Sequence, residues 1–178
     1  MNPLNDLFLL QRIKLGDQRA AEKLIEKHYK RVYTILYSFC KNKETAEDLT
    51  QNTFIKVWKS IHRFNGLSRV STWLYRIAYN TFVDWQRKNR IFYNVDEYEI
   101  KSEILYFEDV TEKILYQVRK LPEKQREIIV LHYQHELTYG EISKILHIPK
   151  GTVKSRLNAA LANLRQSEII KELRNEKK

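Results

Sequence analysis

Apolar residues recur at every third or fourth position along most of this chain, which is the spacing of one face of an α-helix. The spacing is clearest after Gly16 and Asp17, a stop signal and an N-cap, where the apolar side carries Ala21, Leu24, Ile25, His28, Val32, Ile35, Leu36 and Phe39. The same pattern predicts a helix from about Glu44 to Ile61 and another from about Thr72 to Arg90, with Ser71 as N-cap. Four glycines and three prolines in 178 residues also favour helices over strands.

A second helical block follows a break in this pattern. Residues 91–108 show no period and many acids, which indicates a linker. Beyond it, capping-box spacing and a helix-starting proline predict helix starts at Asp109 with Glu112, at Pro122, and at Thr138 with Glu141. A final helix is predicted over residues 150–165. The predicted fold is therefore all-α, with two small helical domains at residues 1–90 and 112–178 and a flexible acidic linker at residues 91–111.

Charge is unevenly distributed along the chain. The whole sequence carries a formal charge of +10, but residues 1–90 hold 17 basic and 8 acidic side chains, residues 91–112 hold 1 and 7, and residues 113–178 hold 14 and 7. Two basic blocks on either side of an acidic strip indicate two modules that face a polyanion such as nucleic acid. The single cysteine, Cys40, excludes a disulfide scaffold and a Cys/His zinc site. No apolar run is long enough to cross a bilayer.

The strongest local motif is a helix-turn-helix over residues 138–161, TYGEISKILHIPKGTVKSRLNAAL. In this motif the second helix presents polar side chains from its N-terminal half to the major groove of DNA. Lysine and arginine can reach guanine edges or phosphates, asparagine can pair with adenine, and threonine can meet a thymine methyl. The candidate DNA-reading residues are Lys150, Thr152, Lys154, Ser155, Arg156 and Asn158. The alternative is an ordinary helical hairpin with a basic outer face.

Basic and aromatic side chains interleave over residues 63–90. This pattern suits single-stranded nucleic acid, because rings stack on unpaired bases while cations follow the phosphates. The rings are Phe64, Trp73, Tyr75, Tyr79, Phe82 and Trp85, and the cations are Arg63, Arg69, Arg76, Arg87, Lys88 and Arg90. The alternative is that most of the rings belong to the hydrophobic core, as helical spacing favours for Trp73, Ile77, Phe82 and one edge of Trp85.

The helix predicted from Glu44 has a third kind of face. Its outer side carries two acids, an amide and a large ring, at Glu47, Asp48, Gln51 and Trp58. Such a face suits docking on another protein. The alternative is a solvated face with Trp58 in the core.

Taken together, these segments resemble a known family. Over about residues 14–165 the chain is similar to the extracytoplasmic-function (ECF) subfamily of bacterial RNA polymerase sigma factors, within the sigma-70 family. Four blocks carry the resemblance in the family's order: HYKRVYTILYSF, AEDLTQNTFIKVWKSIHRF, STWLYRIAYNTFVDWQRKNR, and LPEKQREIIVLHY followed by GEISKILHIPKGTVKSRL. Each block is moderately specific, and the four in order are highly specific.

The resemblance implies a role for each block. By match to the family's motifs, the surface that docks on core RNA polymerase carries Asp48, Gln51, Phe54 and Trp58. The element that opens and recognises the −10 region, where a base is flipped into a protein pocket, carries Arg63, Phe64, Asn65, Arg69, Ser71, Thr72, Trp73, Arg76, Asn80, Asp84 and Arg87. Residues 112–165 would recognise the −35 element in duplex form. The chain departs from the family's pattern at Asn65, Val70 and Ser71 and over residues 158–161, so the family's usual promoter sequence does not carry over to either element, whereas the fold and role do.

The resemblance also implies partners and a location. The expected partners are core RNA polymerase, through its clamp and flap surfaces, promoter DNA and an anti-sigma factor. We expect no cofactor, metal, small-molecule substrate or catalytic residue, because polymerase performs the chemistry. The expected location is the bacterial cytoplasm, with the anti-sigma factor able to hold the protein at the inner membrane.

Two other functions fit parts of the sequence. A helix-turn-helix repressor would account for residues 138–165 but not for the other blocks, and it would bind duplex promoter DNA tightly without polymerase. An enzyme is less consistent with the sequence, which contains no Walker loop, HExxH or GxSxG. His132 and His135, beside Glu136, have a spacing that could hold a metal, but no third ligand is near in sequence. Cys40 follows an apolar stripe and suits a buried, inert thiol.

Overall fold

The computed structural model describes residues 3–89 and 110–167, and all regular structure in these two ranges is helical. The α-helices are α1 (Pro3–Lys14), α2 (Gln18–Cys40), α3 (Lys43–Ser60), α4 (Val70–Asn89), α5 (Val110–Lys120), α6 (Glu123–Ile129), α7 (Tyr139–Leu146) and α8 (Lys150–Gln166). A 3₁₀ turn (Ile61–Arg63) follows α3, and a π-helical segment (Val130–Gln134) follows α6. The prediction of an all-α fold is confirmed. Within the described ranges, no helix combines the length and apolarity needed to cross a membrane.

Apart from the last residues of α4 and of α7, the described helices divide into two compact units, an N-terminal unit of α1–α4 and a C-terminal unit of α5–α8. In the N-terminal unit, α2 begins at the predicted cap, where Asp17 Oδ1 accepts a hydrogen bond from the Ala20 N–H at 3.1 Å. This bond lowers the pKa of Asp17, because it stabilises the charged carboxylate. Lys41, in the left-handed region at φ 55°, ends α2 by donating its N–H to the Tyr37 carbonyl.

A buried polar cluster, which we call the Asp6 cluster, fixes α1 to α2. One Asp6 carboxylate oxygen accepts from Lys27 Nζ at 2.5 Å, and the other lies 3.2 Å from His28 Nε2. Asp6 is 5% exposed and His28 is fully buried. Burial lowers the pKa of His28, so the ring is neutral near pH 7 and donates its Nε2 proton to the carboxylate. The buried His28 Nδ1 then has no hydrogen-bond partner among the described residues.

The beginning of α4 differs from the sequence prediction. The helix starts at Val70 rather than Thr72, and its first turn is closed by a hydrogen bond from the Trp73 N–H to the Arg69 carbonyl at 3.1 Å. Ser71 therefore lies inside the helix and is not its N-cap. The physical reason is that Val70 is buried, so the chain is already helical where its first apolar side chain enters the core. The predicted end of this helix, at Arg90, lies outside the described residues.

In the C-terminal unit, the predicted capping box at the start of α7 is confirmed. The Thr138 N–H and hydroxyl both donate to Glu141 Oε2, at 3.0 and 2.8 Å, and the Glu141 N–H donates to Thr138 Oγ1 at 3.3 Å. Pro122 precedes α6 and accepts hydrogen bonds through its carbonyl from the Gln125 and Arg126 N–H groups. The capping box predicted at Asp109 and Glu112 and the whole predicted linker, residues 91–111, fall outside the residues whose side chains are described.

The turn between α7 and α8 is fixed by short local hydrogen bonds. Ser143 Oγ donates to the Ile148 carbonyl at 2.6 Å, and His147 adopts a left-handed φ of 54°. Ile142 and Ile145 of α7 and Val153 of α8 are fully buried. The helix-turn-helix predicted over residues 138–161 is therefore present.

Candidate nucleic-acid and protein interfaces

The outward side of α3 forms an exposed face, the α3 outer face, which consists of Asp48, Gln51, Ile55 and Trp58. Ile55 is 52% exposed and Trp58 is 49% exposed, whereas Leu49, Thr53 and Val57 on the opposite side are buried. Trp58 therefore does not lie in the core, and the alternative interpretation of this face is wrong. Large half-exposed apolar groups beside an acid and an amide suit a protein interface. Helical spacing from Asp48 and Gln51 could have identified Ile55, which sequence reasoning missed.

Phe54, predicted with these residues, does not share their exposure. It is 9% exposed, and its ring stacks on Tyr29 of α2 with ring centroids 6.2 Å apart. Phe54 therefore packs α3 against α2 and stabilises the helix that carries the α3 outer face.

The segment before α4 is anchored by side chains that the sequence placed in a DNA-contacting set. Phe64 and Trp73 are 8% and 5% exposed, and their rings pack with centroids 5.2 Å apart. Thr72 is also buried. Lys14 Nζ donates to the Phe64 carbonyl at 3.2 Å, which ties the segment to α1. The side chains of Phe64, Thr72 and Trp73 are consequently not on the surface, and they hold the neighbouring loop in place.

The loop between these anchors is exposed and basic. Arg63, Asn65 and Arg69 are exposed, and Ser71 is half-buried. Asn65 Oδ1 accepts from the Leu67 N–H at 3.2 Å, and Gly66 has a φ of 78°, which together form a tight turn. The turn projects Leu67, which is 78% exposed. An apolar side chain at an exposed tip flanked by arginines can contact an unstacked base, and the Asn-Gly pair before it is the sequence signal that could have identified it.

One face of α4 continues from this loop. Asn80, Asp84 and Arg87 are exposed and Arg76 is half-buried, at spacings that place all four on one side of the helix. Asp84 is occupied by neighbouring cations: it lies 3.1 Å from Lys56 Nζ of α3 and 3.5 Å from Arg87. Asp84 therefore orients two cations beside the predicted DNA surface, and Lys56 is a member that sequence reasoning missed.

Most of the remaining rings of this segment belong to the core, as the alternative interpretation holds. Tyr75 and Phe82 are buried, and Tyr79 and Trp85 are half-buried. Phe82 stacks between Phe39 and Trp85, with ring centroids 5.2 and 6.1 Å apart. The exposed surface of α4 is therefore basic and polar rather than aromatic.

In the C-terminal unit, α8 separates its faces clearly. Val153, Leu157 and Ala160 are buried. Of the predicted DNA-reading set, Thr152 and Arg156 are half-buried, and the exposed members are Lys150, Lys154, Ser155 and Asn158. Asn163 Nδ2 also donates to Gln125 Oε1 of α6 at 2.8 Å, an exposed contact between the two helices. The arrangement is a helix with a buried apolar side and a polar, basic outward side, as major-groove recognition requires.

The candidates for reactive chemistry, His132, His135 and Cys40, all lie in the described part of the chain. Across residues 3–89 and 110–167, no three His, Cys, Asp or Glu side chains are grouped as metal ligands. His132 Nδ1 lies 2.9 Å from the Leu137 carbonyl, and His135 is buried. Burial raises the pKa of the Cys40 thiol, which reduces the share of the reactive thiolate.

Comparison with known proteins gives consistent matches over both units. Residues 24–91 match the family described as sigma-70 region 2, and residues 111–164 match sigma-70, region 4. The ECF RNA polymerase sigma factor SigW of Bacillus subtilis is 33% identical over 174 residues, which cover 88% of this chain and 93% of that protein. The ECF RNA polymerase sigma-E factor of Salmonella typhimurium is 29% identical over 171 residues, covering 86% and 89%.

Two solved structures share the fold. CnrH, in complex with the cytosolic domain of CnrY, matches with a TM-score of 0.69 at 24% identity, over 90% of this chain and 94% of that chain. The sigma factor RpoE of Bartonella quintana, in complex with the anti-sigma factor NepR, matches with a TM-score of 0.64 at 23% identity, over 84% and 96%.

Proposed function

Because the chain belongs to the ECF family of RNA polymerase sigma factors, we propose that its exposed faces divide promoter recognition into three tasks. The protein binds core RNA polymerase and directs it to specific promoters. The observation that carries the division is chemical: the α3 outer face is apolar and acidic, whereas the α4 face and the outward side of α8 are basic and polar. The α3 outer face therefore suits binding to a protein, and the α4 face and the outward side of α8 suit binding to DNA.

The α3 outer face is the proposed docking surface for polymerase. Trp58 and Ile55 offer large half-exposed apolar groups, and Asp48 and Gln51 lie beside them. Aromatic side chains that become fully desolvated on binding commonly dominate an interface. Phe54 contributes by holding α3 against α2.

The loop before α4 and the α4 face are proposed to open and recognise the −10 element. Arg63, Asn65, Arg69 and Ser71 line the loop, and Arg76, Asn80 and Arg87 extend the surface along α4. Extruding a base exchanges its stacking in the duplex for contacts in a protein pocket. The buried Phe64, Thr72 and Trp73 keep the loop in one conformation, so less ordering is required when DNA binds. Asp84 takes part by holding Lys56 and Arg87.

The C-terminal unit is proposed to bind the −35 element as duplex. Lys150, Lys154, Ser155 and Asn158 are exposed on α8, and Thr152 and Arg156 flank them. The domain division at residues 1–90, 91–111 and 112–178 follows from the same assignment, with residues 91–111 as the tether. Polymerase docking and promoter opening thus belong to the first unit, and upstream recognition belongs to the second.

Regulation and location are further parts of the proposal. The RpoE structure contains an anti-sigma factor, and we propose that an anti-sigma factor also restrains this protein, acting from the inner membrane. Core polymerase and promoter DNA place its work in the bacterial cytoplasm. Sigma factors are not catalytic enzymes, and we propose that this chain has no catalytic activity of its own.

Reconstituted transcription tests the proposal. Core RNA polymerase, with and without the protein, transcribes a genomic fragment library, and start sites are mapped. We expect new start sites that share two elements, one near −10 and one near −35. The absence of protein-dependent start sites would reject the function, and tight binding of the free protein to duplex promoter DNA would favour a repressor.

Matched variants separate the three tasks. Gln51→Ala should lower co-purification with core polymerase, whereas Glu22→Ala, an exposed acid on α2, should not. Lys154→Ala should weaken transcription that depends on the −35 element while core binding stays normal. Co-purification of Gln51→Ala at wild-type yield would remove the docking assignment.

A further inference from the structure

The helix-turn-helix contains two glycines without a left-handed φ, Gly140 and Gly151, but a Cβ would meet neighbouring atoms at Gly140 and not at Gly151. Gly16 and Gly66 have φ values of +87° and +78°, which residues with a Cβ rarely adopt. Gly140, the second residue of α7, has no such φ, and glycine within a helix is less stable than alanine. Its reason lies across the turn: a Cβ on Gly140 would lie 3.3 Å from Lys150 Cε and 3.7 Å from Lys150 Nζ. Gly140 therefore leaves room for the end of the Lys150 side chain.

This contact joins the beginnings of the two helices of the motif. Lys150 is the first residue of α8, and its side chain lies back against the first turn of α7. In helix-turn-helix proteins the second helix enters the major groove, and the first helix crosses the phosphate backbone. An ammonium held against the first turn of α7 is consequently on the backbone side of the motif. Lys154 and Asn158 are exposed further along α8, where base edges are reached.

We propose that Gly140 is a positioning residue, whose missing side chain provides the seat from which Lys150 contacts a phosphate of the −35 duplex. The proposal rests on the proposed role of α8. Phosphate contacts orient a protein on DNA and add affinity without sequence information. Lys150 therefore contributes salt-dependent affinity rather than choice of base. A Cβ at position 140 crowds the seat, and a longer neutral side chain fills it and displaces the ammonium.

Salt dependence of binding tests this role. Full-length variants are assembled with core RNA polymerase, and binding to a promoter fragment selected by the wild-type holoenzyme is measured between about 50 and 200 mM salt. Lys150→Ala should lower the slope of log K against log salt by about one, and it should weaken binding about equally on fragments that differ by single bases in the −35 element. Gly140→Gln should lower the salt slope and the affinity nearly as much as Lys150→Ala does. Gly140→Ala should lie between wild type and Lys150→Ala, although its thermal stability is equal or higher because alanine favours a helix.

A double-mutant cycle decides whether Gly140 acts through Lys150. In the Lys150→Ala background, Gly140→Gln should cause no further change in affinity or slope, because no ammonium remains to be displaced. Equal effects of Gly140→Gln in both backgrounds would overturn the proposal and indicate a folding defect or a direct clash with DNA. Wild-type affinity and slope for Gly140→Gln would overturn it as well. The proposed role of α8 fails separately, if scrambling the −35 element leaves wild-type binding unchanged.

Discussion

Replacing His28 by glutamine should remove a specific pH dependence from the stability of the N-terminal unit. In the folded protein His28 is fully buried, burial lowers its pKa below the ordinary value of 6.5, and Asp6, Lys27 and Arg31 are the charged groups that act on it. The unfolded chain therefore binds a proton at a pH where the folded chain does not. His28 therefore does not change the free energy of unfolding at a pH above its pKa in the unfolded chain. The free energy of unfolding falls as the pH drops below about 6.5.

The size of the effect follows from one proton. The slope is at most about 1.4 kcal/mol per pH unit, and the loss between pH 6.5 and 5.5 is up to about 1 kcal/mol. The folded ring resists protonation for a structural reason. Its Nε2 already donates to Asp6, and a proton on the buried Nδ1 would have no acceptor among the described residues. Glutamine can still donate an amide proton to Asp6, but it has no group that titrates.

The tryptophans make the assay selective. All three, Trp58, Trp73 and Trp85, lie in α3 and α4, so tryptophan fluorescence follows the unfolding of the N-terminal unit alone. Urea unfolding at pH 7.5, 6.5 and 5.5 compares wild type with His28→Gln, and the exposed His62→Gln serves as the histidine control. The wild-type and His62→Gln curves should fall together below pH 6.5, relative to His28→Gln. Parallel curves for wild type and His28→Gln would refute the reasoning.

Three further predictions concern the loop, the α4 face and α7. Phe64→Ala should destabilise the N-terminal unit by about 3–5 kcal/mol. Leu67 is 78% exposed, so Leu67→Ala should leave urea unfolding unchanged and slow promoter opening by holoenzyme. Equal destabilisation by the two substitutions would contradict this prediction. Asp84→Asn should release Lys56 and Arg87 and weaken holoenzyme binding to single-stranded −10 DNA, measured by fluorescence anisotropy, because the two cations lose their orientation, while stability changes by less than about 1 kcal/mol; tighter binding would mean that the carboxylate repels DNA rather than orients the cations. Glu141→Ala should destabilise α7 by about 1 kcal/mol and speed hydrogen exchange at the Ile142 amide, and unchanged exchange would count against the capping role.

Local features were predictable where the cause is local. Asp17 caps α2, and Thr138 with Glu141 forms a capping box, because these hydrogen bonds join groups three residues apart. The start of α4 was not predictable in this way. Ser71 has the chemistry of an N-cap, but burial of Val70 draws the helix two residues further back. Packing against the rest of the unit overrode a local preference, as tertiary contacts commonly do.

The sequence by itself determined the helical class, the approximate course of the helices, the helix-turn-helix and the family, because periodicity, caps and motif order are properties of short segments. Helical spacing also indicated that Trp73 and Phe82 belong to the core, but only the tertiary structure decided the cover of the other rings. Trp58 remains half exposed while Phe54 and Phe64 are buried, since helical spacing identifies an apolar side but not which edge of it the next helix covers. The tertiary structure also decided which distant groups meet: Asp6 with His28, Lys56 with Asp84, and Gly140 with Lys150. Such pairs depend on how helices pack, and no local pattern encodes them.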